Sequence, residues 1–503
     1  MRDFQEHSAK NVPTLAVIGG GLAGIAAAEA AVRRGWNVEL FEWSRALGGR
    51  TTSQFDPKSR CWIDNGQHVF LGCCAEQIAL NQRLGVSDLF DRYETVLFTA
   101  SENRRWTLSA SPFLPPRWQL VPAFLKNPFL SFRDRLATGL LLRKLAKLHR
   151  DFSKIDESLL QKPPFFAGAD ENTASGRPNK PFFSKQETFG HWLRRENASE
   201  ESIKHFWTPL IYGTLSDTVD GVCLFAAAKV IVQGFMSGRE AMTLYVPKCP
   251  LREIYNIETQ RKLSQLGVKT HLMSRVERLI CEPAENPPKI ESLVLADGTR
   301  RHFDAFILAI PAYRIWKLLE ASQLKPLADS LGADRYELGA ITAVHLWFDQ
   351  PILPNSQRQI AIFDGPGQWI FRGEHASSER LQEKGRAYYH QVVISASHRL
   401  LSEEELTSKG KQVLIERVLE QLRVVFPETC SEKAAPVLLH AKTTTVYDAV
   451  FSPTPEVYRF RPAQNTPVVN LALAGDWTQT NWPATMEGAI RSGLSAVETV
   501  SFG

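Results

Sequence analysis

Three glycine-bearing stretches hold the residue types and spacings that could do chemistry. Gly19-x-Gly21-x-x-Gly24 follows the β-rich run Thr14–Ile18 and opens a run of good helix formers. Gly19 allows a tight turn, Gly21 has no Cβ to hold a pyrophosphate off the backbone, and Gly24 lets a helix pack close to a strand. Leu22 and Ala23 fall in the first helical turn, where free N–H groups and the positive end of the helix dipole meet phosphates. Glu42 ends the next strand, 18 positions after Gly24. That is near the ~20 expected for the acid that binds a ribose hydroxyl pair, and an acid there disfavours a 2′-phosphate. A glycine-rich turn with no ligand is the weaker account, because strand, helix and acid stand in register.

The second stretch is Leu47-Gly48-Gly49-Arg50-Thr51-Thr52. Adjacent glycines let the backbone approach a ligand, and Arg50 offers fixed donors to a phosphate. Alone, this is as well read as a surface turn with a solvated arginine. Beside the first motif it points to a long dinucleotide such as FAD, because an NAD site does not need it. The third stretch is Ala474-Gly475-Asp476-Trp477, followed by WPATMEGAIRSG. An Asp between strand and helix suits a polyol chain. The helix start at Met486 can aim donors at the electron-rich edge of a flavin ring. Thr485 or Asp476 as a simple N-cap is the other reading, and the two are compatible.

These residues need elements to hold them. Thr14–Ile18, the glycine turn, a helix ending at Gly35 and the strand Val38–Phe41 make the opening unit of a nucleotide-binding α/β domain. Residues 187–240 read as largely helical and 268–310 as strands with a turn at Asp297-Gly298. Residues 341–349 alternate like a strand and 402–425 read as helix. Val468–Ala474 is an apolar strand before a terminal helix from about Ala484. Residues 1–13 read as a loose leader, and the Pro/Gly/Asn/Ser-rich stretch 162–185 as a long mobile loop. Residues 112–150 interleave five prolines with aromatics and end in a basic amphipathic helix, its Leu136, Leu140, Leu141, Leu145 and Leu148 at helical spacing.

At 503 residues the chain has room for about three domain-equivalents, or for two interleaved domains. Its 44% hydrophobic and 22% charged residues are ordinary for a globular protein and exclude wholesale disorder. The net charge of +5 is too small at this length to argue for nucleic acid. Seven scattered cysteines without a C-x-x-C pair read as a reduced, intracellular protein with no zinc site. No stretch reaches 18 uncharged apolar residues, so a transmembrane helix is not expected.

GGGLAG, Glu42, LGGRTTS and AGDWTQTNWPATMEGAIRSG together resemble the flavin-containing amine oxidase and phytoene desaturase superfamily. Within it, Asp64-Asn65-Gly66-Gln67-His68-Val69-Phe70-Leu71-Gly72-Cys73, FWTPLIYGTLSD, ITAVHLWFD and NWPATMEGA resemble the squalene-associated branch, the hydroxysqualene dehydroxylases. The resemblance covers about residues 14–500. It implies a Rossmann-like FAD-binding domain with an inserted α+β substrate domain. The expected FAD segments are 1–100, 241–320 and 436–503, and the substrate segments 101–240 and 321–435. Gly19, Gly21, Leu22, Ala23 and Gly24 would hold the pyrophosphate, Glu42 the adenosine ribose, and Gly49 and Arg50 the phosphates. Val276 would offer its backbone to the adenine, Gly475 and Asp476 would meet the ribityl chain, and Met486 would sit near the ring.

The implied activity is reductive removal of the allylic hydroxyl of hydroxysqualene to give squalene, with hydride from reduced flavin N5 and electrons from an external donor. His68 is the first candidate for the proton donor, since the DNGQH segment leads toward the ring. Asp64 is the alternative, or the group that orients His68; both could instead only hold a turn. The substrate is a membrane-partitioning hydrocarbon, and Arg133, Arg135, Arg143, Lys144, Lys147 and Arg150 stand against the single acid Asp134. The expectation is a cytoplasmic protein peripheral on the inner face of the membrane, with squalene-pathway enzymes as possible partners. An ordinary surface helix is the other reading. The competing activities are a carotenoid-type desaturase, an amine oxidase and a flavin-free isoprenoid-binding protein.

Overall fold

The computed structural model describes residues 12–102, 104–116, 118–160, 187–282, 287–332, 336–354, 357–378, 381, 386–407, 410–429 and 435–500, without the side chains of 153–160 and 459–460. The expected loop 162–185 and most of the leader lie outside the described residues.

TLAVI becomes the central strand, Thr14–Ile18, of a five-stranded parallel sheet. Its neighbours are Asn37–Phe41 on one side, flanked by Lys269–His271, and Ala305–Leu308 on the other, flanked by Leu471–Leu473. Leu15 and Val17 face the helices Leu22–Arg33 and Met486–Thr499. Ala16 and Ile18 face a three-stranded antiparallel sheet (Val276–Cys281, Ile290–Leu295, Arg300–His302) and the helix Ala312–Ala321. With both faces covered, every strand position pays to be apolar, hence the unbroken run of small and branched residues. The two helices touch closely: a Cβ on Gly493 would lie 2.1 Å from the Ala23 carbonyl oxygen.

The second unit is a seven-stranded, mostly antiparallel sheet. Its order is Leu438–Phe451, Leu338–Phe348, Tyr388–Ile394, Trp369–Arg372, Gln359–Ile362, Thr95–Thr99 and Arg105–Ser109. Helices Phe189–Arg195, Thr208–Leu215 and Leu224–Phe235 pack with Phe132–Leu160 around Trp192, Phe206 and Trp207. This is the mixed α/β architecture with a parallel sheet that the motifs call for. Two strands fall on the far side of the expected divisions. Thr95–Thr99, inside 1–100, and Leu438–Phe451, inside 436–503, both hydrogen-bond into the second sheet. Strand partnership is a long-range property, and neither segment carries a local mark of it.

The five leucines of the basic helix do not share a face. Leu141 and Leu145 are buried and Leu148 packs beside them, but Leu136 and Leu140 point outward. Their nominal helical spacing spreads over half the helix circumference, and the core takes only part of that arc.

Candidate functional site

The glycine loop lies at the carboxyl end of Thr14–Ile18, where open α/β sheets bind ligands. Gly19 has φ +113°, and a Cβ there would meet the Ala309 carbonyl at 2.3 Å. At Gly24 a Cβ would be 1.8 Å from the Gly19 carbonyl oxygen. At Gly21 it would meet nothing within 4 Å among the described residues, so this glycine faces open space. The helix beginning at Leu22 has no side-chain cap and no acid in its first turn. An uncapped helix start beside a bare backbone fits a pyrophosphate.

The second glycine pair sits against the first. Gly48 N–H donates to the Gly20 carbonyl at 2.8 Å, and a Cβ on Gly49 would lie 3.1 Å from the Gly21 Cα. Glu42, buried, accepts from Gly20 N–H at 2.6 Å and Ser44 N–H at 2.9 Å. Ser274 N–H in turn donates to the Glu42 carbonyl at 2.8 Å, which brings the start of Val276–Cys281 to the same rim. Arg50 Nη2 lies 2.6 Å from Asp476 Oδ1, joining motifs 426 positions apart. Gly475 N–H donates to Ser492 Oγ at 2.7 Å, so the loop carrying Asp476 is pinned to the terminal helix. That helix starts at Met486 with Thr485 as its N-cap, accepting from Gly488 N–H at 3.3 Å. The two glycine loops, Glu42, Arg50 and Asp476 are thus joined into one connected site. Its uncapped helix, glycine cradle and acidic and basic ends fit an extended dinucleotide.

Asp64 and His68 lie on the stretch beyond Arg50, and they do not touch. His68 Nδ1–H donates to the Gly66 carbonyl at 2.7 Å, which leaves the ring's lone pair on Nε2. Its own turn orients the ring, which corrects the expectation that Asp64 does so. Burial chiefly lowers the affinity of His68 for a proton, and the charge of Arg50 acts in the same sense against the pull of the Gly66 carbonyl. Asp64 is 2% exposed. Its Oδ1 accepts from Ser53 Oγ–H at 2.6 Å and Leu251 N–H at 2.9 Å, while Oδ2 has no partner among the described residues. Burial pushes this carboxyl up to about 7, overcoming the two donors. An acid that keeps its proton near neutrality is suited to general acid catalysis.

Sequence reasoning missed Lys229. It is buried on Leu224–Phe235 and donates to Asn481 Oδ1 at 2.9 Å, tying the second unit to the loop between Asp476 and Met486. A lysine in a helix whose only other polar side chain is Gln233 was the available signal. Two other branch motifs have structural occupations. His345 bonds Tyr389 Oη at 2.7 Å and Thr444 Oγ1 at 3.2 Å, and burial lowers its pKa to about 3, so it stays neutral. Asp217 is fully buried and accepts from Arg399 Nε–H at 2.7 Å. Among the described residues no group of three His, Cys, Asp or Glu side chains could hold a metal ion.

The chain is 26% identical to a hydroxysqualene dehydroxylase from Zymomonas mobilis, over 96% of this chain and 97% of that one. It is 23% identical to a zeta-carotene desaturase from Synechocystis, over 97% and 96%. An oxidoreductase structure from Methanosarcina mazei superposes with TM-score 0.66 at 17% identity, covering 96% of this chain and all of that one. The family model for flavin containing amine oxidoreductases matches residues 22–501. The cofactor is therefore FAD, and with its glycine cradle, Arg50–Asp476 pair and two-sheet fold the chain belongs to the flavin containing amine oxidoreductase family.

Proposed function

We propose that this FAD-dependent oxidoreductase removes the allylic hydroxyl of hydroxysqualene to give squalene. The observation that carries the reading is Asp64, a buried carboxyl with one unpartnered oxygen that keeps its proton up to about pH 7. FAD held at this site and reduced would contribute hydride chemistry. The chain's own residues must supply a proton, a fixed substrate and a dry site. Asp64 protonates the hydroxyl, which leaves as water, and the allylic cation is delocalised enough to await hydride. His68, neutral with its lone pair at Nε2, accepts the hydroxyl's hydrogen and holds the oxygen in place. Each turnover consumes two electrons, drawn from an external donor, and two protons.

The carotenoid desaturase resemblance extends over as much of the chain, and a neutral His68 could also take a proton from a substrate being oxidised. That second reading runs the flavin in the opposite direction. A single anaerobic turnover separates the two. The purified yellow protein is reduced chemically and given hydroxysqualene, and flavin absorbance and extracted lipids are followed together. Squalene formed in step with flavin reoxidation supports the proposal. Flavin that stays reduced over intact hydroxysqualene overturns it, and polyenes would then be tried on the oxidised protein.

A further inference from the structure

The segment 113–140 carries an unusual surface. Its aromatics divide: Phe124 and Phe129 are buried against Trp106, Phe206 and Phe363, while Phe113 is 92% exposed and Trp118 54%. Leu114, Val121 and Leu125 are exposed beside them. On the following helix Phe132, Leu136 and Leu140 are 72%, 62% and 53% exposed. They recur every four residues, so they form one stripe. Farther along the helix the exposed positions are Arg143, Lys144, Lys147 and Arg150, and Arg133 is exposed beside Phe132 at its start. At 1.5 Å rise per residue, Phe132 to Leu140 spans about 12 Å along this stripe. Contiguous apolar surface of this kind marks an interaction site.

The structure also sorts five of the six cations of the helix; the sixth, Arg133, is exposed at the edge of the apolar stripe. Arg135 donates to the carbonyls of Leu130 and Leu125, and Lys144 pairs with Glu196 at 2.6 Å, so these two serve the protein. Arg143, Lys147 and Arg150 stand at the end of the apolar stripe.

We propose that this face is a tilted membrane wedge. The chain docks on an anionic bilayer with Phe113, Trp118, Phe132, Leu136 and Leu140 below the headgroups and Arg143, Lys147 and Arg150 on the lipid phosphates. The order of chemistry along the stripe selects this occupant. Apolar side chains followed by cations along one helix match the change from acyl chain to anionic headgroup with depth, and the apolar length is close to the roughly 5–10 Å that interfacial helices immerse.

The test uses the full-length, FAD-loaded protein and no substrate, so it stands or fails apart from the proposed reaction. Vesicles of phosphatidylcholine containing a quarter phosphatidylglycerol are prepared with and without bromine on the acyl chains. The wild-type protein should co-sediment with them, and brominated chains should quench part of its tryptophan emission. Trp118→Phe should keep its FAD and its vesicle binding but lose that quenching. Phe132→Ser with Leu136→Ser should weaken binding at least tenfold. Neutralising Arg143, Lys147 and Arg150 to Gln should weaken it about a hundredfold, at about fivefold per cation. The same quenching in Trp118→Phe as in wild type overturns the wedge, and so does binding equally tight to vesicles without phosphatidylglycerol. A dimer in solution that Phe132→Ser with Leu136→Ser converts to monomer also overturns it, since the face would then belong to a second copy.

Discussion

Asp64→Asn tests the central claim about the site. Asn keeps the shape and, through Oδ1, both existing bonds to Ser53 and Leu251, but it cannot carry an acidic proton. The wild-type carboxyl is raised from 3.8 to about 7, chiefly by burial. At 1.36 kcal/mol per pH unit, that displacement is worth about 4 kcal/mol. The folded state binds this proton more tightly than the unfolded chain does. Its contribution to stability is therefore fully present below about pH 4 and is lost as pH rises through about 7. Relative to Asp64→Asn, the wild-type protein should lose about 4 kcal/mol across that window. With an unfolding entropy of roughly 2.1 cal/mol/K per residue, this is about 4 °C in apparent Tm. Differential scanning fluorimetry of both FAD-loaded proteins at pH 4–8 reads the difference directly. The kinetic expectation is a wild-type dehydroxylation rate that falls as pH rises through about 7, and an Asp64→Asn rate lower by at least about a hundredfold. Parallel Tm profiles would refute the raised carboxyl. Unchanged turnover in Asp64→Asn would refute its role as the donor even if the stability profile behaved as expected.

Other outcomes follow from named contacts. Gly24→Ala places a Cβ 1.8 Å from a backbone oxygen and should abolish FAD retention on gel filtration with a clear loss of Tm, whereas Gly21→Ala meets no protein atom and should leave the FAD-free Tm unchanged while weakening FAD binding at least tenfold. Equal Tm values for the two FAD-free variants would show that the glycines do not have these separate tasks. Arg399→Ala strands the buried Asp217 carboxylate and should cost about 3 kcal/mol, seen as a Tm lower by about 3 °C; an unchanged Tm would mean the pair is dispensable. Lys229→Met removes the bond to Asn481 and should raise the FAD dissociation constant about tenfold by flavin fluorescence release, an effect that Lys229→Arg partly restores; identical release from all three proteins would deny Lys229 a part in holding that loop.

The sequence was most legible where chemistry depends on neighbours in the chain. The turn at Gly19–Gly24, the acid ending Asn37–Phe41 and the cap at Thr485 each lie within one strand–turn–helix span, and local backbone requirements restrict their residue types. The helix Met486–Thr499 was placed within two residues of its start for the same reason. The second sheet was largely illegible. Tyr388–Ile394 and Leu438–Phe451 gain their identity from register with Leu338–Phe348, and residues fifty to a hundred positions away do not write that register into a local pattern.

Within the site the same boundary applies. The types and spacings of Gly19, Gly21, Gly24, Glu42 and Arg50 by themselves pointed to a dinucleotide site, because phosphate and ribose recognition needs bare backbone and fixed charge at set distances along the chain. Only the tertiary structure decided that Arg50 meets Asp476, that Asp64 turns to Ser53 and Leu251 instead of His68, and that Lys229 reaches Asn481. It alone divided the leucines of the basic helix between core and surface. Burial and partnership are set by which elements pack together, and they govern whether a carboxyl keeps its proton and whether an apolar side chain is core or anchor.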